Sequence, residues 1–436
     1  MLRAAISWTD QLARSLLLSV FTWVNDMPIP DQHYRIQFAS NIPRFFFYTA
    51  IKGWGFGLFA ALWVIYLQEQ RGLSLSQAAL IDVTFFVAAA FGEVPTGIVA
   101  DTLGRKTSLA IGTALMCVSS LAWVLSPTLP LIMVAYICLG IGFTFLSGAE
   151  DALFYESVRL AGRGDDYMRL VSGVGATMTG ALALGSVASG LFASIALPLP
   201  FLVATSGYLI IFGIVLNFRE PSSNKTADHQ TRLSYSEVLR QSFALLHARP
   251  TLRYSIIYLS IVPLAALMLE TLFVQPQTLA LGIPIAGIGV VIMGLQITNI
   301  AGASWSDWLR KRLGERRILY TTPLVIVTSL ILLAMLQILP ALFFIVIISF
   351  VTAAQRPIVL SNIQTEVSDN MRATLLSMMS LMGTAIAAIA QPTLGLIADE
   401  AGLPTTYIVL ASSLGVLILF LFWTGRQHFP QAAMSS

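Results

Sequence analysis

Charge is scarce in this sequence. Of 436 residues, 11% are Asp, Glu, Lys or Arg, less than half the roughly 25% of a soluble domain. Cysteine is scarcer. Cys117 and Cys138 both fall inside apolar runs, which argues against a disulfide framework or a cysteine zinc site. The four histidines, His33, His229, His247 and His428, all lie outside those runs. No histidine cluster can therefore hold a metal within them. An Asp-rich prenyl-diphosphate motif and a nucleotide-binding Gly-Lys-Ser/Thr loop are also missing. A membrane enzyme acting on lipid would lack reactive groups, so the expectation is no enzyme, no cofactor and no metal. The net charge of +3 is not evidence for a nucleic-acid partner.

What the sequence has in quantity is apolar surface: 56% of its residues are hydrophobic and the mean hydropathy is +0.78. Twelve apolar runs are expected near 43–67, 76–99, 107–126, 129–157, 169–194, 201–217, 254–279, 284–303, 318–338, 341–364, 373–397 and 404–423. Each is near the roughly 20 residues a spanning helix needs. Pro127, Pro130, Pro198, Pro200, Pro284 and Pro340 punctuate them. Pro95, Pro263, Pro357 and Pro392 fall inside, where a lipid-embedded bundle tolerates them as kinks.

Cations orient the runs. With the amino terminus cytoplasmic, 22 of the 25 Lys and Arg residues fall on the cytoplasmic side and Arg71 alone on the other. Lys52 and Arg356 remain, inside runs 1 and 10. The expected class is an all-α integral membrane protein with twelve transmembrane helices in two six-helix halves and both termini cytoplasmic. The division is 1–40 as an amphipathic segment on the inner membrane surface or a short re-entrant segment, 41–218 as the first half, 219–253 as a cytoplasmic linker, 254–426 as the second half and 427–436 as a tail. Ser234-x-x-Glu237 is a capping box that would open a surface helix in the linker, ended by Pro250.

The turn between runs 2 and 3 reads Gly97-x-x-x-Asp101-x-x-Gly104-Arg105-Lys106. It resembles the loop 2–3 signature of the major facilitator superfamily, secondary transporters of twelve membrane helices. After run 8, Gly302-Ala303-Ser304-Trp305-Ser306-Asp307, a basic run and Gly314-Glu315-Arg316-Arg317 resemble a degraded copy with an insertion. The resemblance implies a cavity lined by helices 1, 4, 7 and 10. It also implies a cytoplasmic gate in which Glu156, ending run 4, pairs with Arg105. Asp101 would then sit against the amino-terminal end of helix 3 or helix 11, and the pair would hold the cytoplasmic side closed. Two features of the family are missing: Tyr136 stands where helix 4 carries an arginine, and run 5 lacks the antiporter Gly-Pro pair. Ala181, Gly185 and Ser189 instead make a stripe of small residues in run 5 for close helix packing.

Charges inside the runs are few, and each should face a cavity and find a partner. Lys52, Glu150, Asp151, Glu156, Glu270 and Arg356 fall on runs 1, 4, 7 and 10, with only Asp82 and Glu93 elsewhere. Lys52, Glu150, Asp151, Glu270 and Arg356 are the candidate substrate and proton path, or a set of internal salt bridges. Ser147, Asp151 and Tyr155 share one helical face. Glu270 and Arg356 lie in one half within plausible reach of each other. Tyr48, Trp54 and Tyr258 are candidates for stacking on an organic substrate or for plain helix packing. The expected function is proton-coupled efflux of a small organic molecule, a drug or metabolite, by alternating access. The alternative is uptake of an organic anion, suggested by Lys52 and Arg356. The expected partners are the substrate, protons and the lipid bilayer, with a monomer in the cell (inner or plasma) membrane.

Overall fold

The computed structural model describes residues 32–221, 240, 244, 246–366 and 369–425, and nearly all of them are helical. After α1 (Gln32–Ala39) come α2 (Asn41–Ala60), α3 (Leu75–Leu103), α4 (Arg105–Leu125), α5 (Leu129–Leu146), α6 (Ala149–Leu160), α7 (Tyr167–Ile195) and α8 (Leu199–Leu216). A second set follows: α9 (Pro250–Met268), α10 (Val274–Ala280), α11 (Ile285–Leu313), α12 (Glu315–Met335), α13 (Leu342–Glu366) and α14 (Asp369–Gly425). We call α2–α8 and α9–α14 the two halves. Ten helical segments among the described residues are long and apolar enough to cross a membrane, or eleven if a bent pair at 36–70 counts as one. One of the ten, Met378–Phe420, is 43 residues long and turns at Gly402, where φ is 80°. The segment 1–31, the capping box at Ser234 and the tail after Gly425 lie outside the described residues.

Local chemistry sets the helix ends. Ser74 and Gln77 form a reciprocal capping box that starts α3. Proline occupies the first turn of α5, α8 and α9, where its missing N–H costs nothing. Gly104, at φ 98°, turns the chain between α3 and α4, a conformation that favours glycine.

Two runs expected to be continuous are broken. Run 4 stops at Leu146 and restarts at Ala149 across Gly148, whose φ is 71°. Run 1 bends by 46° between Ala60 and Trp63. A break in lipid leaves backbone groups without partners, and here Gln275 from the other half supplies them. Its Oε1 accepts from Val64 N at 3.0 Å and its Nε2 donates to Ala60 O at 3.1 Å. The Gln275 side chain is fully buried.

Small residues let the helices approach, since lipid gives no hydrophobic drive for helices to associate. The expected stripe on run 5 packs against α2. Ser189 Oγ donates to Leu58 O at 2.7 Å, and a Cβ on Gly185 would lie 2.4 Å from the Trp54 carbonyl oxygen. Between the halves, α7 meets α11 and α3 meets α14. A Cβ on Gly289 would lie 1.9 Å from Ser186 O, so the backbones there are in direct contact.

These crossings are concentrated at the end of the molecule that carries loop 71–74. The buried residues of α7 are Gly185, Ser186, Ser189, Gly190 and Ala193, all in its second half. In α3 burial is concentrated between Leu75 and Asp82, and beyond Phe86 Thr96 is buried while most of the remainder is exposed. The halves are joined at the Arg71 end and part toward the Gly104 end, where the cations cluster.

Candidate functional site

Two polar clusters lie within the helices, one in each half. In the first, Tyr48 and Lys52 stand one turn apart on α2 and face Glu150 on α6. Lys52 Nζ lies 2.5 Å from Glu150 Oε2 and 2.7 Å from Oε1, and the Tyr48 hydroxyl donates to Oε1. The two charged side chains are 14% and 22% exposed. The break at Gly148 explains the position of Glu150. It creates a new helix amino terminus within run 4, with Glu150 and Asp151 in its first turn, where unpaired N–H groups favour acids.

In the second cluster, Glu270 lies on a π-helical segment, Leu269–Phe273, between α9 and α10. Such segments often mark functional sites. Ser349 Oγ on α13 donates to Glu270 Oε1 at 2.5 Å, and Asn299 Nδ2 on α11 donates to Oε2 at 3.2 Å. From the sequence, Arg356 lies within plausible reach of Glu270. The structure instead leaves Arg356 exposed on α13, with no ion pair to Glu270. The buried polar residue beside it is Gln355, whose Oε1 accepts from the Tyr258 hydroxyl at 2.6 Å. One residue is about 100° of helix, enough to turn Arg356 away.

Of the other path residues, Asp151 is exposed, as are Ser147 and Tyr155. Asp151 and Tyr155 share an open face of α6, but the break at Gly148 takes Ser147 off that helix, so the expected three-residue face is only partly formed. Tyr48 and Tyr258 are buried and engaged in the hydrogen bonds above. Trp54 is partly exposed.

The turn signature builds a brace. Arg105 Nη1 lies 2.5 Å from Glu156 Oε1 and also donates to Ala152 O at 3.2 Å. The free N–H groups at the start of α4 are met by Glu220, which accepts from Arg105 N at 2.8 Å and Lys106 N at 2.6 Å. Asp101, expected at that helix end or against helix 11, is exposed, and Glu220 occupies the place at α4. The whole brace lies within one half and is formed while the Gly104 end is open. Gly97 is also exposed there and Lys106 partly so. In the degraded copy Gly314 makes the matching turn at φ 77°, but Asp307 pairs with Lys311 on its own helix at 2.5 Å.

At the opposite end lie two acids: Asp399, which sequence reasoning missed, and Asp82, which it placed inside run 2 without a role. Asp399, at the turn before Gly402, accepts from Leu75 N at 2.8 Å and Ser76 N at 3.0 Å, so one half caps a helix of the other. Burial pushes its carboxyl up, but the Ser76 side chain, the backbone N–H groups of Ser76 and Leu75, and Ser74 outweigh that and hold it below its ordinary value. Asp82 is buried in α3 and faces Gln391 of α14. No short-range motif could have revealed either, because each partner lies more than three hundred residues away. No group of three or more potential metal ligands occurs among the described residues. An apolar groove of about 360 Å³ between α9 and α14, lined by Ile261, Met268, Ile389 and Leu414 among others, contains no charged side chain and is not part of the polar path.

The family model described as the Major Facilitator Superfamily matches residues 45–390. An uncharacterized MFS-type transporter, YxaM of Bacillus subtilis (strain 168), is 25% identical over 207 residues, which are 46% of this chain and 50% of that protein. The match thus spans half the length of that relative. Among solved structures, the nucleoside transporter NupG aligns with a TM-score of 0.71 at 13% identity, covering 88% of this chain and 98% of that one. A bacterial homolog of the human lysosomal transporter Spinster, in an inward-facing and unoccupied conformation, aligns at 0.68 and 14% identity over 92% and 100%. A D-xylose-proton symporter aligns at 0.67 and 13% identity over the same shares. At these identities the structures speak for the fold.

Proposed function

The chain belongs to the Major Facilitator Superfamily, a family of multi-pass membrane transporters, and from that premise we propose that it is a secondary active transporter that exports a small organic molecule by alternating access against an inward flow of protons. We read it as twelve membrane crossings with both termini in the cytoplasm of a cell-membrane protein. The observation that carries this reading is the asymmetry between the two ends. The halves are pressed together at the Arg71 end and part at the cation-rich end, as one state of a rocking carrier would be. The Lys52–Glu150–Tyr48 and Glu270–Ser349–Asn299 clusters supply polar groups between those ends, and intramembrane charges mark ion or substrate paths. The exposed Asp151 and Tyr155 give the open end an acidic and aromatic surface suited to amphipathic organic molecules. Protons bind as the coupling ion at carboxylates, and no cofactor takes part.

Exposed Arg356 favours a second reading, proton-coupled uptake of an organic anion, because a cation with no ion pair among the described residues can hold a carboxylate or phosphate. Transport into inside-out vesicles separates the two readings. A panel of organic cations and anions is offered with and without a proton gradient. Gradient-driven accumulation of an amphipathic or cationic compound supports export, and accumulation of anions in right-side-out vesicles alone supports uptake. Accumulation indifferent to the gradient would remove proton coupling from both.

A further inference from the structure

Asp82 sits seven residues into α3, on the seam with α14. It is 6% exposed, and Gln391 opposite is fully buried. Neither Asp82 Oδ2 nor either polar atom of the Gln391 side-chain amide has a hydrogen-bond partner of good geometry, and all three atoms are out of reach of water. Among the described residues, the groups that act on the carboxyl include no cation. From α5 comes the Tyr136 phenol, whose ring stacks on Phe59 and Trp63. The π-helical segment also touches α3, and its acid, Glu270, is turned to Ser349 and Asn299. Arg71, the cation nearest in sequence, is turned onto the Tyr66 ring and the Val124 carbonyl. Asp399, the other acid of this seam, is exposed and engaged by backbone donors. An ionised carboxylate buried without a cation or full hydrogen bonding is strongly disfavoured. The neutral acid, by contrast, matches a carboxamide, since it can give a proton to the Gln391 carbonyl and accept from its N–H.

We propose that Asp82, with Gln391, is a proton-binding site whose occupancy is required for the α3–α14 seam to close. This rests on the alternating-access reading above and adds the site at which the outer side senses protons. When the seam parts, the carboxylate meets water at the Arg71 end and takes a proton from hydronium, leaving water. The neutral acid can then be buried against Gln391, and the halves close into the form described here. Parting of the seam returns the proton to water. Tyr136, which stands in place of the arginine that the family carries in helix 4, fits this role, because a cation there would hold Asp82 ionised.

The test uses the full chain in lipid nanodiscs, with Cys117 and Cys138 replaced by alanine. Spin labels go on cysteines at Gln70 and Glu400, two exposed positions at the Arg71 end, one in each half. The short-distance population should rise as pH falls. Asp82→Asn, which keeps shape and neutrality, should hold the short distance at every pH. The same pH response in Asp82→Asn as in the parent would overturn the proposal. Infrared spectroscopy gives a reading independent of seam motion: the parent should show a protonated-carboxyl C=O band at neutral pH that Asp82→Asn lacks. Identical spectra would also overturn it. Transport indifferent to a proton gradient, with band and pH response intact, would remove the coupling reading and leave this site standing. Gradient-driven transport without an Asp82 band would do the reverse.

Discussion

The two intramembrane clusters lie one in each half, and they neutralise their acids differently. Glu150 is met by a cation, Lys52, on α2. Among the described residues, Glu270 is met by the hydroxyl of Ser349 and the amide of Asn299 alone. A buried ion pair is held by mutual charge and tolerates loss of neither partner. A carboxyl held by neutral donors can change protonation without stranding an opposite charge. The first half thus carries a fixed electrostatic joint between α2 and α6, and the second carries an acid free to load and unload.

The largest effect should come from breaking the joint. Lys52→Ala leaves Glu150 with the Tyr48 hydroxyl alone and should cost about 3–5 kcal/mol, read as a lowered unfolding temperature of the purified protein. Lys52→Ala combined with Glu150→Ala should recover much of that loss. If the double variant instead shows the sum of the single losses, the two residues do not act as a pair and the comparison fails.

Glu270→Gln should be far milder for stability, about 1 kcal/mol or less, because Ser349 can donate to the Gln oxygen and Asn299 can turn its amide to accept from the Gln N–H. Its effect should appear in function. Gradient-driven accumulation should be lost while substrate exchange persists. Full accumulation by Glu270→Gln would move coupling away from the second cluster and leave Glu150 and Asp151 as the remaining path acids.

The two ends of the molecule can be contrasted in the same way. At the Arg71 end Asp399 spans the halves, and at the Gly104 end Arg105–Glu156 braces one half. Asp399→Ala should raise labelling of a cysteine at Ser76 from outside. Since the Asp399 carboxyl is held below its ordinary value in the closed form, its contribution is present at neutral pH. That contribution fades as pH falls through the depressed value. This is opposite in sign to the response expected of Asp82, so pH separates the two. Unchanged labelling in Asp399→Ala would show that Asp399 does not hold the α3–α14 seam closed.

The smallest effect on stability should be that of Arg105→Ala. Its ion pair is 31% and 27% exposed, and such pairs contribute about 1 kcal/mol or less. Transport should still drop, and a cysteine on the Gly104 side should become more reactive. Normal transport would reduce the turn signature to a solvated cap.

Much of this was legible in the chain itself. Apolar run length set the helices, because a backbone in lipid must satisfy its own hydrogen bonds. The scatter of cations set a common side for the turns. Gly104 fixed a turn. These depend on neighbours in sequence or on one helix period, whereas the pairing of Arg105 with Glu156 was implied by the resemblance of the turn to the family's loop 2–3 signature. The tertiary structure decided the rest. It broke run 1 and repaired it with Gln275, and it broke run 4 so that Glu150 begins a helix. It gave Glu270 to Ser349 and Asn299 and turned Arg356 outward. It also brought Asp82 to Gln391 and Asp399 to the start of α3. Periodicity shows which residues share a face of a helix, but not the rotation of that helix against its neighbours. For a charge in lipid, that rotation determines whether the group meets a counter-ion, a neutral donor or another half of the protein.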